Sequence, residues 1–151
     1  MIKDFLHVAI AVEDLAASLA FYTEVLGLEL DYRAHHQGEL PSRISGVPEA
    51  ELEVVVLKKG AARLELTDYR HKEPAPAKPQ NQGGLTHLAF VVSEIGEEYE
   101  RIRALGYRFN SPPLESRPGG PQVCYFQGPD QVIIELYQPA SSPERGGAAR
   151  K

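Results

Sequence analysis

The sequence predicts an α+β fold built from two βαβββ units, and three observations carry that prediction. Strand-like and helix-like stretches follow the order β-α-β-β-β through the first half, a connector rich in proline and glycine follows, and the same order then restarts. Sliding the second half over the first superposes His7-Val8-Ala9 on His87-Leu88-Ala89, Val12 on Val92, Leu15 on Ile95, and Gly27 near Gly106. Neither half is large enough to bury a sheet face unaided, which gives duplication a physical reason.

In the first unit, Phe5 to Val12 reads as a strand. Asp14 then reads as the N-cap of a helix from about Leu15 to Leu26, with Leu15, Leu19, Tyr22 and Leu26 as its buried stripe and Gly27 as its stop. Leu28 to Arg33 starts a second strand. The polar stretch from Ala34 to Glu49, punctuated by Gly38, Pro41, Gly46 and Pro48, reads as loop. Glu51 to Lys58 and Ala62 to Tyr69 then form a hairpin around Lys59-Gly60. The second unit repeats the order: a strand at Leu85 to Val92, a helix from Ser93 or Glu94 to about Leu105, Gly106 as its stop, and a restarted strand at Tyr107 to Asn110. Strands at Gln122 to Gln127 and Gln131 to Gln138 follow, joined by the Gly128-Pro129-Asp130 turn. The expected division is residues 1–72 for the first module, 73–84 for the connector, 85–140 for the second module and 141–151 for a frayed tail.

Composition narrows the function. A chain of 151 residues that is 42% apolar and 25% charged is ordinary globular material. The longest apolar run is too short for a signal peptide or a membrane helix, so the expected location is the cytoplasm. Cys124, the single cysteine, excludes an intramolecular disulfide and reads as a buried strand residue. A net charge of -5 with scattered Lys and Arg leaves no electrostatic footprint for nucleic acid or anionic lipid. The expected partner is a small-molecule substrate.

Polar residues inside apolar strands are the informative ones, because strands alternate faces. In the first strand His7, Ala9 and Ala11 share one face, and His87, Ala89 and Val91 repeat the pattern. A carboxylate stands in the last strand of each unit: Glu65 between Leu64 and Leu66, and Glu135 between Ile134 and Leu136. A lone His near a strand start is more often a hydrogen-bonded structural residue than a ligand, and a lone Glu equally suits an exposed place on a half-solvated strand. Two of each at equivalent places in two repeats point to a shared divalent-metal site, because a buried carboxylate is costly unless paired or metal-bound. The mixed nitrogen and oxygen set suits Zn, Ni, Co, Mn or Fe(II).

The segments HVAIAVEDLAASLAFYTEVLGLEL, RLELTDY, GLTHLAFVV and YFQGPDQVIIELYQP resemble, in order, the four ligand-bearing segments of the vicinal oxygen chelate superfamily. That superfamily includes glyoxalase I, methylmalonyl-CoA epimerase, extradiol dioxygenases, fosfomycin resistance enzymes and bleomycin-binding proteins. The resemblance covers nearly the whole chain and implies a glyoxalase-like fold, two modules forming a curved, cupped mixed sheet around a metal held by His7, Glu65, His87 and Glu135. It further implies a glyoxalase, isomerase or epimerase reaction in which Glu65 or Glu135 takes a proton from the carbon beside a metal-chelated carbonyl. Ala11 and Tyr69 stand where bacterial glyoxalase I typically carries the Arg and Asn that contact glutathione, which speaks against a glutathione-dependent reaction. The alternatives are an Fe(II) extradiol-type dioxygenase with His71 or Tyr125 as acid-base helper, and a non-catalytic binding protein for a small drug or antibiotic. The superfamily's habit of closing its cups by dimerisation implies a homodimer. Arg33, Arg43 and Arg117, in expected strand ends and loops, could hold an anionic substrate group, but each reads first as a solvated surface charge.

Overall fold

The computed structural model describes residues 6–71 and 87–140. The chain divides into two compact units, Met1–Ala77 and Lys78–Lys151. The expected connector and tail lie outside the described residues.

In the first unit, β1 (Val8–Ala11), β2 (Glu29–His36), β3 (Leu52–Lys59) and β4 (Ala62–Tyr69) form a four-stranded mixed sheet in the order β1-β4-β3-β2. The β3-β4 hairpin turns at Gly60, whose φ of +58° suits glycine. β1 lies parallel to β4, a pairing that needs a crossover, and helix α1 (Leu15–Ala20) supplies it. Asp14 caps this helix as expected, its carboxylate accepting from the Ala17 amide at 3.0 Å.

The helix continues through a π-helical turn, Phe21–Val25, rather than running on as α-helix to Leu26. The consecutive aromatics Phe21 and Tyr22 are both buried, with edge-to-face rings 5.0 Å apart, and Thr23 Oγ1 donates to the Leu19 carbonyl at 2.8 Å. A widened turn serves a helix that must bury two adjacent bulky residues. Leu15 and Tyr22 of the expected stripe are buried, whereas Leu19 and Leu26 are half-buried and Ser18 and Phe21 take their place. Opposite the helix, Ile10, Val55, Leu57, Leu64 and Leu66 present the buried sheet face.

The expected loop at 34–49 is not all loop. β2 runs on to His36, and α2 (Glu39–Ser45) follows. Its Gly38 and Gly46 flank the helix instead of breaking it, with Gly46 at φ +75° as C-cap. Pro41 sits in the first turn, where no amide is required, and Ser45 bonds back to the Pro41 carbonyl at 2.8 Å.

The second unit has the same topology, with β5 (Leu88–Val91), β6 (Leu114–Glu115), β7 (Gln122–Gln127) and β8 (Ile133–Gln138) in the order β5-β8-β7-β6. Helix α3 (Ile95–Ala104) crosses between β5 and β6, and its first amide, Ile95, bonds to Gln138 Oε1 at 2.7 Å. Ile95, Ile102, Cys124, Phe126, Ile134 and Leu136 make the core, bearing out the buried Cys124. The expected strand at Tyr107 to Asn110 reduces to one bridge, Phe109 to Phe126, and the short β6 pairs with β7 instead. Ring packing accounts for this: Tyr99, Phe109 and Phe126 stack at 4.7 and 4.8 Å, tying the segment down through side chains rather than a ladder. A 3-10 turn, Pro129–Gln131, joins β7 to β8, with Asp130 at φ 53°.

Candidate metal centre

The parallel register of β1 with β4 places Ala9 opposite Glu65 and Ala11 opposite Thr67. Residues two apart share a strand face, so His7 joins Glu65 on the face turned away from α1. Their closest atoms, His7 Nε2 and Glu65 Oε2, are 3.6 Å apart, with the side chains 31% and 17% exposed. Ala9 and Ala11 leave open space beside them. Across β3 the neighbour of Glu65 is Val56, one of a buried apolar cluster with Ala50, Leu52 and Val54 against which Tyr69 packs.

The second unit repeats the arrangement with a tighter pair. Ala89 lies opposite Glu135, and His87 Nε2 approaches Glu135 Oε2 at 2.9 Å. Here the residue across the hairpin from the carboxylate is Tyr125, not an aliphatic side chain. Tyr125 sets its ring edge-on to His87 at 5.6 Å and hydrogen-bonds Glu135. Burial, the Glu135 charge and that hydrogen bond all hold the Tyr125 hydroxyl above its usual pKa, keeping it protonated as a donor. Cys124 faces the core, where burial first and Glu135 second push its thiol up to about 11, so it is no nucleophile.

The donor set fits a divalent metal. Imidazole nitrogen and carboxylate oxygen bound to one ion at roughly 2.0–2.2 Å stand about 3 Å apart when their bonds lie near a right angle. Separations of 3.6 and 2.9 Å bracket that value. The structure brings His7 together with Glu65 and His87 together with Glu135. Among the described residues no group of three or more His, Cys, Asp or Glu side chains gathers at one point. Each unit therefore presents one His-Glu pair.

The remaining sequence candidates lie elsewhere. Arg33 sits on the helix-bearing side of its sheet, lining an open depression with Glu13, Asp14, Glu53 and Asp68. Arg43 is exposed on α2 and 3.9 Å from Glu39, Arg117 lies in the turn between β6 and β7, and His71 is exposed just past β4. The role of Tyr125 beside Glu135 is tied in sequence only to the iron alternative, yet the alternation in Gln122 to Gln127 already placed it on one face with Val123.

Residues 4–136 match the model of the Glyoxalase/Bleomycin resistance protein/Dioxygenase superfamily. The chain is 30% identical over 142 residues to YwbC of Bacillus subtilis (strain 168), an uncharacterized protein, covering 91% of this chain and 99% of that one. It is 32% identical over 147 residues to the 2-epi-5-epi-valiolone epimerase of Actinomyces sp, covering 91% and 80%. Among solved structures, a glyoxalase family protein from Bacillus cereus superposes with a TM-score of 0.83 at 24% identity, covering 93% of this chain and 97% of that one. No described helix is long and apolar enough to cross a membrane. With its order of elements, its duplicated His-Glu pairs and this match over most of its length, the chain belongs to the Glyoxalase/Bleomycin resistance protein/Dioxygenase superfamily.

Proposed function

We propose that the protein is a divalent-metal-dependent enzyme of the isomerase, epimerase or glyoxalase-type lyase class, with His7 and Glu65 holding one side of the metal and His87 and Glu135 the other. The observation that carries this reading is the duplicated His-Glu pair, set at equivalent register positions on the same face of each sheet. A relative named as an epimerase, aligned over most of both chains, supports the reaction class. When bound, a divalent ion supplies Lewis-acid polarisation of a substrate carbonyl.

The two carboxylates divide the work. Glu135 is anchored by both His87 and Tyr125 and holds its place. Glu65 meets only His7 among the described residues, at 3.6 Å, and is the carboxylate free to swing and take a proton from the carbon beside the carbonyl. Ala9 and Ala11 leave room for the substrate next to it. A general base of this kind contributes roughly 10²- to 10⁴-fold in rate.

A metal-loaded species with the mass of a monomer assigns all four ligands to one chain. Elemental analysis of untagged protein tests the reading: about one divalent ion per set of four ligands, lost in His7→Ala and Glu135→Ala, is expected. Protein that takes up no ion even after reconstitution refutes it. Full turnover in Glu65→Gln with metal retained refutes Glu65 as the base, and full turnover in both Glu65→Gln and Glu135→Gln refutes a carboxylate base altogether.

A further inference from the structure

We infer that Arg63 and Lys58 form a subsite for an oxyanion, the carboxylate or phosphate group of a small-molecule substrate, at the edge of the first His-Glu pair. The assignment rests on the reading above only in calling the bound group part of a substrate. The β2-β3 register slips between Leu30 and Tyr32, leaving Asp31 as the extra residue of a β-bulge. Asp31 shares the sheet face of Glu29, the ladder partner of Lys58, and reaches across β3: its carboxylate accepts from Arg63 Nε at 3.1 Å and stands 3.5 Å from Lys58 Nζ.

Lys58 and Arg63 are direct ladder partners, so their side chains emerge side by side. Arg63 lies two residues before Glu65 on the same strand face, about 7 Å along β4. Val8 pairs with Leu64, so His7 lies level with Arg63. The cationic pair is thus flanked by both members of the His-Glu pair. Asp31 occupies only the Nε side of the guanidinium, leaving the two terminal nitrogens and part of the lysine ammonium for a ligand. Such a fork matches an oxyanion bidentately. Glu29 stands opposite Lys58 in the ladder. Asp31 holds the two cations parallel, which like charges would otherwise resist.

The test is an NMR titration of isotopically labelled protein with sodium phosphate and, separately, sodium acetate, against sodium chloride at matched ionic strength. A saturable shift of the Arg63 Nε resonance with phosphate or acetate but not chloride is expected, and the tighter of the two identifies the group preferred. The Arg63→Gln/Lys58→Gln double variant should weaken this binding at least tenfold. The charge-retaining Arg63→Lys/Lys58→Arg variant should keep it, which separates loss of charge from loss of fold. Arg33→Gln, on the opposite sheet face, should leave it unchanged. Shifts that never saturate, or that fall equally in Arg33→Gln, overturn the subsite. Saturation by phosphate in protein that takes up no metal sustains the subsite and removes the metalloenzyme reading, while metal uptake without saturation does the reverse.

Discussion

Replacing Tyr125 with phenylalanine removes one hydroxyl and leaves the ring against His87, so it isolates the hydrogen bond to Glu135. Hydrogen bonds to a charged group contribute about 1.5–3 kcal/mol. Tyr125 is only half-buried, and solvent screening places the value at the lower end, about 1.5 kcal/mol. That corresponds to roughly tenfold in an equilibrium constant. Groups that orient a metal ligand are worth about 10- to 100-fold in metal affinity, in agreement. Tyr125→Phe should therefore weaken divalent-metal binding about tenfold in a competition titration against a metal buffer. Made in a Glu135→Gln background, the same change should have little further effect, because the partner charge is gone. Unchanged affinity in the single variant, or an equal loss in both backgrounds, would refute the argument that Tyr125 acts through Glu135.

Leu66 is fully buried between Ile10 and Val55 on neighbouring strands, so Leu66→Ala should cost about 2.7–5 kcal/mol in urea unfolding followed by circular dichroism, and a cost below about 1 kcal/mol would contradict its place in the core. The Arg63 hydrogen bond, then Lys58 and Arg63 charge, hold the Asp31 carboxyl below its ordinary value of 3.8. A depressed carboxylate contributes to stability above its unfolded pKa and loses that contribution as the pH falls through the folded one. Its carbon-13 titration should show a midpoint below 3.8 that rises in Arg63→Gln, and an unmoved midpoint would separate the two groups. Cys124, with its thiol near 11 and buried, should resist alkylation at pH 8 until the chain is unfolded, and rapid native labelling would show an open route to it.

Much of this architecture is legible in the chain because the repeats carry their own punctuation. Asp14 as cap, Gly27 and Gly106 as stops at φ +67° and +97°, and the Lys59-Gly60 turn each follow from local chemistry. The His-Glu pairs are legible for the same reason: period-two alternation tells which residues share a face with Glu65 and Glu135. What stays hidden depends on partners distant in sequence. Gly38, Pro41 and Gly46 read as loop until the serine back-bonds and the C-cap show them bounding a helix. The π turn answers to the core that receives Phe21 and Tyr22. The Asp31 bulge exists only as a mismatch between two strands, so no single strand's pattern records it.

In each unit the first and last strands lie side by side in parallel, and this sets the order in which a unit can be taken apart. The hairpin of β3 and β4 closes through a short turn, whereas the Thr67 hydroxyl reaches the Ile10 carbonyl across 57 residues of chain. Contacts of such range close the largest loop and are the slowest to form. The histidine of each pair sits beside the start of the first strand, its glutamate on the last. Anything that bridges the two would latch the leading strand in place, guarding that end of the unit against fraying and proteolytic nicking while leaving the hairpin's own persistence untouched.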